Sequence, residues 1–292
     1  MVSADNKVKF WVLASLCFLL IWIIRLVPDS LGRFYNIVFL SGDYYYRAVV
    51  GGWMYSLAAI GIMSRLIAVT IGIVALFLVW RNNRSFFDVK RWVATALCLE
   101  SLYFVLLIPS PIWLFALASE NRISYTFGAS YVLQIVFTAP FLAILAVKVL
   151  KQEKLSNSFQ LWKWGGVAFS GYVIALWANS VLRWFDMISA TGVQFFLTGT
   201  SVFGALNALV LMSLAVAFAI FGAFGLLKQR QSAKKWLGLS LLMVGLHYTI
   251  YVVFSYLSGT LNSIWLIDIW TIPLLGLGIT FLLTKTKNKE LQ

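Results

Sequence analysis

Residues 203–227 read FGALNALVLMSLAVAFAIFGAFGLL, and no side chain in this stretch carries a charge. An α-helix over these residues would be about 37 Å long, which exceeds the roughly 30 Å hydrocarbon core of a bilayer. Hydrophobic residues make up 61% of the whole chain and charged residues only 11%. Because soluble domains carry about a quarter charged residues, the composition predicts an all-α integral membrane protein.

Apolar stretches of comparable length recur along the chain and predict eight transmembrane helices. They cover about 9–28, 57–80, 92–109, 129–148, 161–182, 203–227, 236–257 and 264–284. The first stretch follows two lysines, as in a signal peptide, but it is long and has no small-residue cleavage site. We therefore expect it to be an uncleaved first span.

The basic residues predict the orientation of these spans. With eight spans, 17 of the 23 basic residues fall on one side, at the termini and in the linkers after spans two, four and six. The formal net charge of +13 then lies wholly on that side. Cytoplasmic segments of membrane proteins carry the excess of Lys and Arg, so both termini are predicted to be cytoplasmic, in the cell membrane.

Landmarks in the first half of the chain recur in the second half and predict an internal duplication. An Arg-aromatic-aromatic-Asn/Asp motif, a basic pair before Trp, and a Thr-x-Pro each occur twice: Arg33–Asn36 with Arg183–Asp186, Lys90–Trp92 with Lys234–Trp236, and Thr138–Pro140 with Thr271–Pro273. The predicted repeats are 1–150 and 151–292, with four spans each. An even number of spans makes the repeats parallel, so the expected pseudo-two-fold axis runs along the membrane normal.

A few polar groups fall within the apolar spans, where ionisable side chains are costly and usually face protein or a water-filled cavity. Glu100 lies near the middle of the third span, and Tyr103 follows on the same helical face. His247 occupies the position equivalent to Tyr103 in the second repeat. The predicted binding or coupling residues are Glu100, Tyr103, His247, Asp268, Gln134 and Arg65.

The same polar groups have a purely structural interpretation, in which they form hydrogen bonds between helices. A buried Glu100 is then expected to be protonated or paired, and Arg65 is the partner that we expect. Pro140 and Pro273 each predict a helix kink, because proline removes a backbone donor. A threonine hydroxyl or a neighbouring helix would satisfy the freed carbonyl.

Several chemistries are excluded by the residue inventory. One histidine and two separated cysteines cannot form a zinc site, and Cys17 and Cys98 are expected to be small hydrophobes of the core. No metal site is predicted, and the sequence leaves any cofactor undetermined. The basic residues are spread over short segments without a folded binding module, so nucleic acid is not an expected partner. The expected partners are the lipid bilayer and either another membrane protein or a second copy of this chain.

Three function classes fit this pattern. The first is a carrier or channel for a small solute or ion, with an outward-facing polar cavity and Glu100 as its coupling or gating group. The second is an accessory or assembly subunit of a larger membrane complex. The third is an intramembrane enzyme or a redox subunit that binds quinone or lipid, with Glu100, Tyr103 and His247 near the ligand. We rank the carrier or channel first, because most of the polar groups share one depth range from the midplane outwards.

Overall fold

The computed structural model describes residues 52–81, 86–109, 111–112, 115–116, 125–151, 158–191, 199–228, 230, 232–257 and 273–283. These residues form seven α-helices and no β-strand. The helices are α1 Gly52–Arg81, α2 Phe86–Leu106, α3 Tyr125–Leu150, α4 Ser158–Thr191, α5 Gly199–Leu227, α6 Ala233–Leu257 and α7 Pro273–Leu283. The all-α prediction is confirmed for this part of the chain, whereas the predicted span at 9–28 lies outside the described residues.

Four of these helices are long and apolar enough to cross a membrane, as a multi-pass membrane protein requires. The candidate spans are Tyr131–Leu150, Lys163–Leu182, Val202–Leu227 and Ala233–Phe254. Shorter apolar segments, Ala59–Ala75 and Leu274–Leu283, lie in α1 and α7. In α2 the charged residues Asp88, Lys90, Arg91 and Glu100 interrupt the apolar run. The count of eight spans and the duplication stay predictions.

The described chain divides into two compact units between Trp164 and Gly165, within α4. In unit 1, α2 packs against both α1 and α3. Gly61 of α1 faces Tyr103 and Leu106, whereas Ser64, farther along α1, donates a hydrogen bond to Leu99 O at 2.7 Å. Contacts therefore move backwards along α2 as α1 advances, so these two helices are antiparallel.

Unit 2 contains most of α4 together with α5, α6 and α7. Ser170 of α4 donates a 2.8 Å hydrogen bond to Ala219 O of α5, and Ser240 of α6 donates a 2.7 Å bond to Ala215 O. Both hydroxyls are buried. A serine on a membrane helix can thus join two helices through a backbone carbonyl, without introducing a charge.

A close approach between α6 and α7 depends on two glycines. A Cβ atom added at Gly278 would lie 2.9 Å from Gly238 O and 2.9 Å from Leu242 N, both of which are backbone atoms. One added at Gly238 would lie 3.1 Å from Gly278 O. Lipid tails are as apolar as leucine, so helices in a membrane associate through such tight packing rather than through the hydrophobic effect.

Candidate functional site

The principal polar feature of unit 1 is an ion pair between α1 and α2. Arg65 Nη2 donates to Glu100 Oε1 at 2.7 Å, and Arg65 Nε lies 3.2 Å and 3.3 Å from the two carboxylate oxygens. The side chains of Arg65 and Glu100 are only 1% and 3% exposed. The planar guanidinium contacts both oxygens of the carboxylate. Such two-oxygen contacts between arginine and a carboxylate are among the strongest hydrogen-bonded ion pairs in proteins.

Aromatic rings cover the guanidinium. Its central carbon lies 3.4 Å from the centre of the Tyr103 ring and 5.4 Å from that of Phe104. The two rings meet edge to face, with their centres 5.2 Å apart. Cation–π attraction over the Tyr103 face therefore adds to the attraction of the carboxylate.

The helix positions explain how these side chains meet. Glu100 and Tyr103 are three residues apart on α2, so they project from one face of the helix. Ser64, next to Arg65 on α1, bonds Leu99 O, next to Glu100 on α2. This neutral bond fixes the register of the two helices where the charges meet. The close contact at Gly61, one turn earlier on α1, brings the backbone of α1 towards Tyr103.

The burial of this pair has an energetic consequence. Removing two ions from water costs several kcal/mol for each, and their attraction offsets that cost only when the geometry is good. A buried pair is therefore weak evidence for stability, yet loss of one partner removes the countercharge of the other inside the protein. The carboxylate of Glu100 can also bind a proton or another cation. Such binding weakens its attraction for Arg65.

The segment around Pro140 lies on the other side of α2. Pro140 is inside α3, as the sequence predicted. Ser101, next to Glu100, donates a 2.8 Å hydrogen bond to the carbonyl of Ala139. The neighbouring helix thus bonds the backbone immediately before the proline. Thr138 is 1% exposed, and its hydroxyl has no hydrogen-bond partner among the described residues, so the threonine, one of the two alternatives for the freed carbonyl, does not bond it there.

Unit 2 contains a second group of polar residues, around His247. Asn207 of α5 donates a 3.1 Å hydrogen bond to the backbone carbonyl of His247 on α6. Both side chains are buried, at 7% and 8% exposed. The imidazole meets Tyr248 edge to face, with ring centres 4.9 Å apart, and stacks at 6.5 Å with Tyr251. This arrangement joins α5 to α6 without an ion pair among the residues named.

The structure groups some of the predicted site residues and separates others. The hypothesised pair of Glu100 with Arg65 is confirmed, and Tyr103 belongs to the same cluster. Gln134 is half-buried on α3. His247 lies in unit 2. Asp268 lies outside the described residues, and the described part of the last helix begins at Pro273, so the kink expected there lies outside as well.

One expectation was wrong, and several residues were missed. Cys98 is exposed on α2 rather than part of the core. The sequence did not predict this, because an apolar membrane helix gives little sign of which face meets lipid.

Ser64, Ser101 and Phe104 support the pair but were not among the predicted site residues. A signal was present for the serines, since each directly adjoins an ionisable residue in an otherwise apolar helix.

Comparison with known proteins assigns no family. No protein-family model matches the chain, and neither a curated protein nor a solved structure matches it. The Arg65–Glu100 pair and its surroundings are therefore the features of the described chain that bear on function. Function belongs to such sites rather than to a fold, so an all-helical membrane architecture alone would not identify it.

Proposed function

We propose that this protein is a membrane carrier or channel for a small solute or ion, with Glu100 as its coupling or gating group. One observation carries the proposal: a carboxylate 3% exposed, paired with a guanidinium, between two helices of an apolar chain. Ionisable residues inside membrane helices mark ion paths, substrate sites and proton relays more often than they mark simple scaffolding. The proposed polar cavity faces outwards, because most of the polar groups in the spans share a depth range from the midplane to the outer surface.

The arrangement of the pair suggests how coupling would work. Arg65 holds Glu100 while the carboxylate is charged. A proton or cation bound at Glu100 would reduce that attraction and favour a second conformation, in which Arg65 contacts the transported solute. A ligand shifts such an equilibrium only by its difference in affinity for the two conformations. Tyr103 would keep the guanidinium partly compensated in both, since its ring attracts a cation independently of Glu100.

The second candidate function is an accessory or assembly subunit, and the same contact supports it. Three hydrogen bonds join Arg65 to Glu100, and such a multiple contact would hold α1 and α2 in a fixed position. In that case the pair sets the register of the helices, which is the best-attested structural role of buried ionic groups. No solute would then move.

A flux assay separates the two functions. The purified full-length protein is reconstituted in liposomes, and proton and cation fluxes are followed with entrapped dyes. The Arg65→Gln/Glu100→Gln double variant removes both charges together, so that neither is left unpaired. Thr70→Val is the matched control, because Thr70 is exposed on α1 and its hydroxyl bonds Leu66 O of its own helix.

The carrier proposal expects flux in the wild type and in Thr70→Val, and loss of flux in the folded double variant. Equal flux in the double variant would remove the pair from the mechanism. If the wild type shows no flux and purifies with a stoichiometric partner, the accessory function replaces the carrier. Glu100→Asp is a further variant, which keeps the charge but shortens the side chain, and the carrier proposal expects reduced rather than abolished flux.

A further inference from the structure

Basic residues are concentrated where α5 ends and α6 begins. We call Lys228, Arg230, Lys234 and Lys235 the basic turn, and no acidic residue occurs between positions 228 and 236. Lys228, Arg230 and Lys235 are exposed. The turn connects two candidate spans, Val202–Leu227 and Ala233–Phe254, so it lies at the membrane surface if both cross the bilayer.

Backbone contacts hold the turn in a compact form. Arg230 N donates to Gly225 O at 2.7 Å, and Ala233 N donates to Arg230 O at 3.2 Å. A Cβ atom added at Gly225 would lie 3.1 Å from the Cα of Ala233, so the two helix ends nearly touch. The four basic side chains therefore start from a small area of backbone, which concentrates positive charge.

An aromatic cluster lies directly beneath this charge. The Trp236 ring is 5.6 Å from Phe218 and 5.5 Å from Phe221, measured between ring centres. Lys228 Nζ lies 4.3 Å from the centre of the Phe224 ring. Phe221 and Phe224 are 56% and 49% exposed, so they offer apolar surface to a neighbour on the lipid side. Of these rings, the Trp236 indole has a polar N–H, and tryptophan is enriched at the headgroup level of a membrane.

We infer that the basic turn and the aromatic cluster form a binding site for an anionic phospholipid. The headgroup phosphate would bind the lysine and arginine side chains, and the upper part of the acyl chains would pack on Phe221 and Phe224. Clusters of four or more basic residues next to a membrane helix attract anionic lipid, by an amount that grows with each charge. This site is independent of the Arg65–Glu100 pair and of transport.

The start of α2 provides an internal control. There Lys90 and Arg91 also precede a tryptophan, but Asp88 lies two residues before Lys90 and offsets part of their charge. Arg91 and Asp88 are both exposed. The Lys90→Gln/Arg91→Gln variant thus removes as much charge as Lys228→Gln/Arg230→Gln, from a place where we propose no lipid site.

The test measures lipid association with the full-length protein in liposomes of mixed phosphatidylcholine and phosphatidylglycerol. Spin-labelled versions of each lipid report the fraction held at the protein surface. We expect the wild type to prefer phosphatidylglycerol, and Lys228→Gln/Arg230→Gln to lower that preference by about fivefold for each charge removed. Lys90→Gln/Arg91→Gln should leave it nearly unchanged. If Lys228→Gln/Arg230→Gln does not fold, the single Lys235→Gln variant should lower the preference for phosphatidylglycerol by about fivefold.

Three outcomes would overturn the inference. The first is a wild-type protein that holds both lipids equally. The second is an equal loss in the two double variants, since general surface charge would then explain the preference. The third is full displacement of the labelled lipid by inorganic phosphate, which would make the site one for a free anion rather than for a lipid.

Discussion

The two units differ in how their helices are joined by polar groups. In unit 1, α1 and α2 meet at the Arg65–Glu100 ion pair, whose side chains are almost wholly buried. In the described part of unit 2, the buried side chains of Ser170, Ser240 and Asn207 each donate a hydrogen bond to a backbone carbonyl of a neighbouring helix. The buried polar residues of the described part of unit 2 are hydroxyl, amide and imidazole groups.

The described contacts between the helices of unit 2 thus use neutral groups, in contrast to the ion pair of unit 1. Hydroxyl bonds and glycine contacts join the described helices of unit 2. Interhelical hydrogen bonds in membranes contribute only about 0.6 kcal/mol each on average. Unit 1 carries the desolvation cost of two ions in addition to similar serine bonds. The more expensive arrangement is therefore the place to expect function, and the contrast can be tested by mutation.

The largest effect is expected when one partner of the ion pair is removed. Glu100→Gln and Arg65→Gln should each lower the free energy of unfolding by about 3 kcal/mol, because each removes the buried countercharge of the other residue. The double variant should lose clearly less than the sum of the two. Equilibrium unfolding in lipid–detergent micelles provides the four values, with Thr70→Val as control. Strict additivity would contradict a direct energetic coupling of the pair.

The next effect concerns the glycine contact of unit 2. Gly278→Ala should destabilise the protein by about 2 kcal/mol, since the new methyl group would meet the backbone of α6. Gly276→Ala, two residues earlier, is the matched control, because a Cβ atom there meets nothing within 4 Å. The same unfolding measurement compares them. Equal stabilities would mean that α6 and α7 do not require their close approach.

A smaller effect is expected at the ring that covers the guanidinium. Tyr103→Leu should lower the free energy of unfolding by about 1 kcal/mol, through loss of the cation–π attraction on Arg65. Tyr103→Phe keeps the ring and should therefore cost less than Tyr103→Leu. In the Glu100→Gln background the cost of Tyr103→Leu should rise, because the ring is then a principal partner of the cation. An unchanged cost would count against that role.

The smallest effect is expected at the neutral bond between α5 and α6. Asn207→Leu should lower the free energy of unfolding by about 0.6 kcal/mol, the average contribution of such bonds in membranes. Ser64→Ala in unit 1, which removes the bond to Leu99 O, should cost a similar amount. A loss at Asn207 as large as that at Glu100 would contradict the contrast between the two units.

Much of the helical architecture followed from the positions of apolar stretches. The stretch predicted at 203–227 lies within helix Gly199–Leu227, and that at 236–257 lies within Ala233–Leu257. The predicted span at 92–109 begins later than helix Phe86–Leu106, because helix formation does not stop at the charges of Lys90 and Arg91. Hydropathy reports where a helix would enter hydrocarbon, whereas backbone hydrogen bonds decide where it begins.

The sequence predicted the ion pair at the candidate site, but only some of the residues that surround it. An acid in an apolar stretch needs a partner, and Arg65 was the natural choice for Glu100. The sequence could not reveal that Tyr103 would stack on the guanidinium, or that Ser64 and Ser101 would bond the carbonyls of neighbouring helices. These contacts depend on the rotation of each helix about its axis, which is set by packing.

By itself, the sequence determined that this is an all-helical, apolar chain whose few ionisable groups in the apolar stretches must find partners. That conclusion needs only the cost of unpaired polar groups in hydrocarbon, which acts on every residue regardless of its neighbours. Only the tertiary structure decided which face of each helix is buried, so that Arg65 meets Glu100 while Cys98 is exposed. The reason is physical: in lipid both faces of a helix are apolar, and close packing alone distinguishes them.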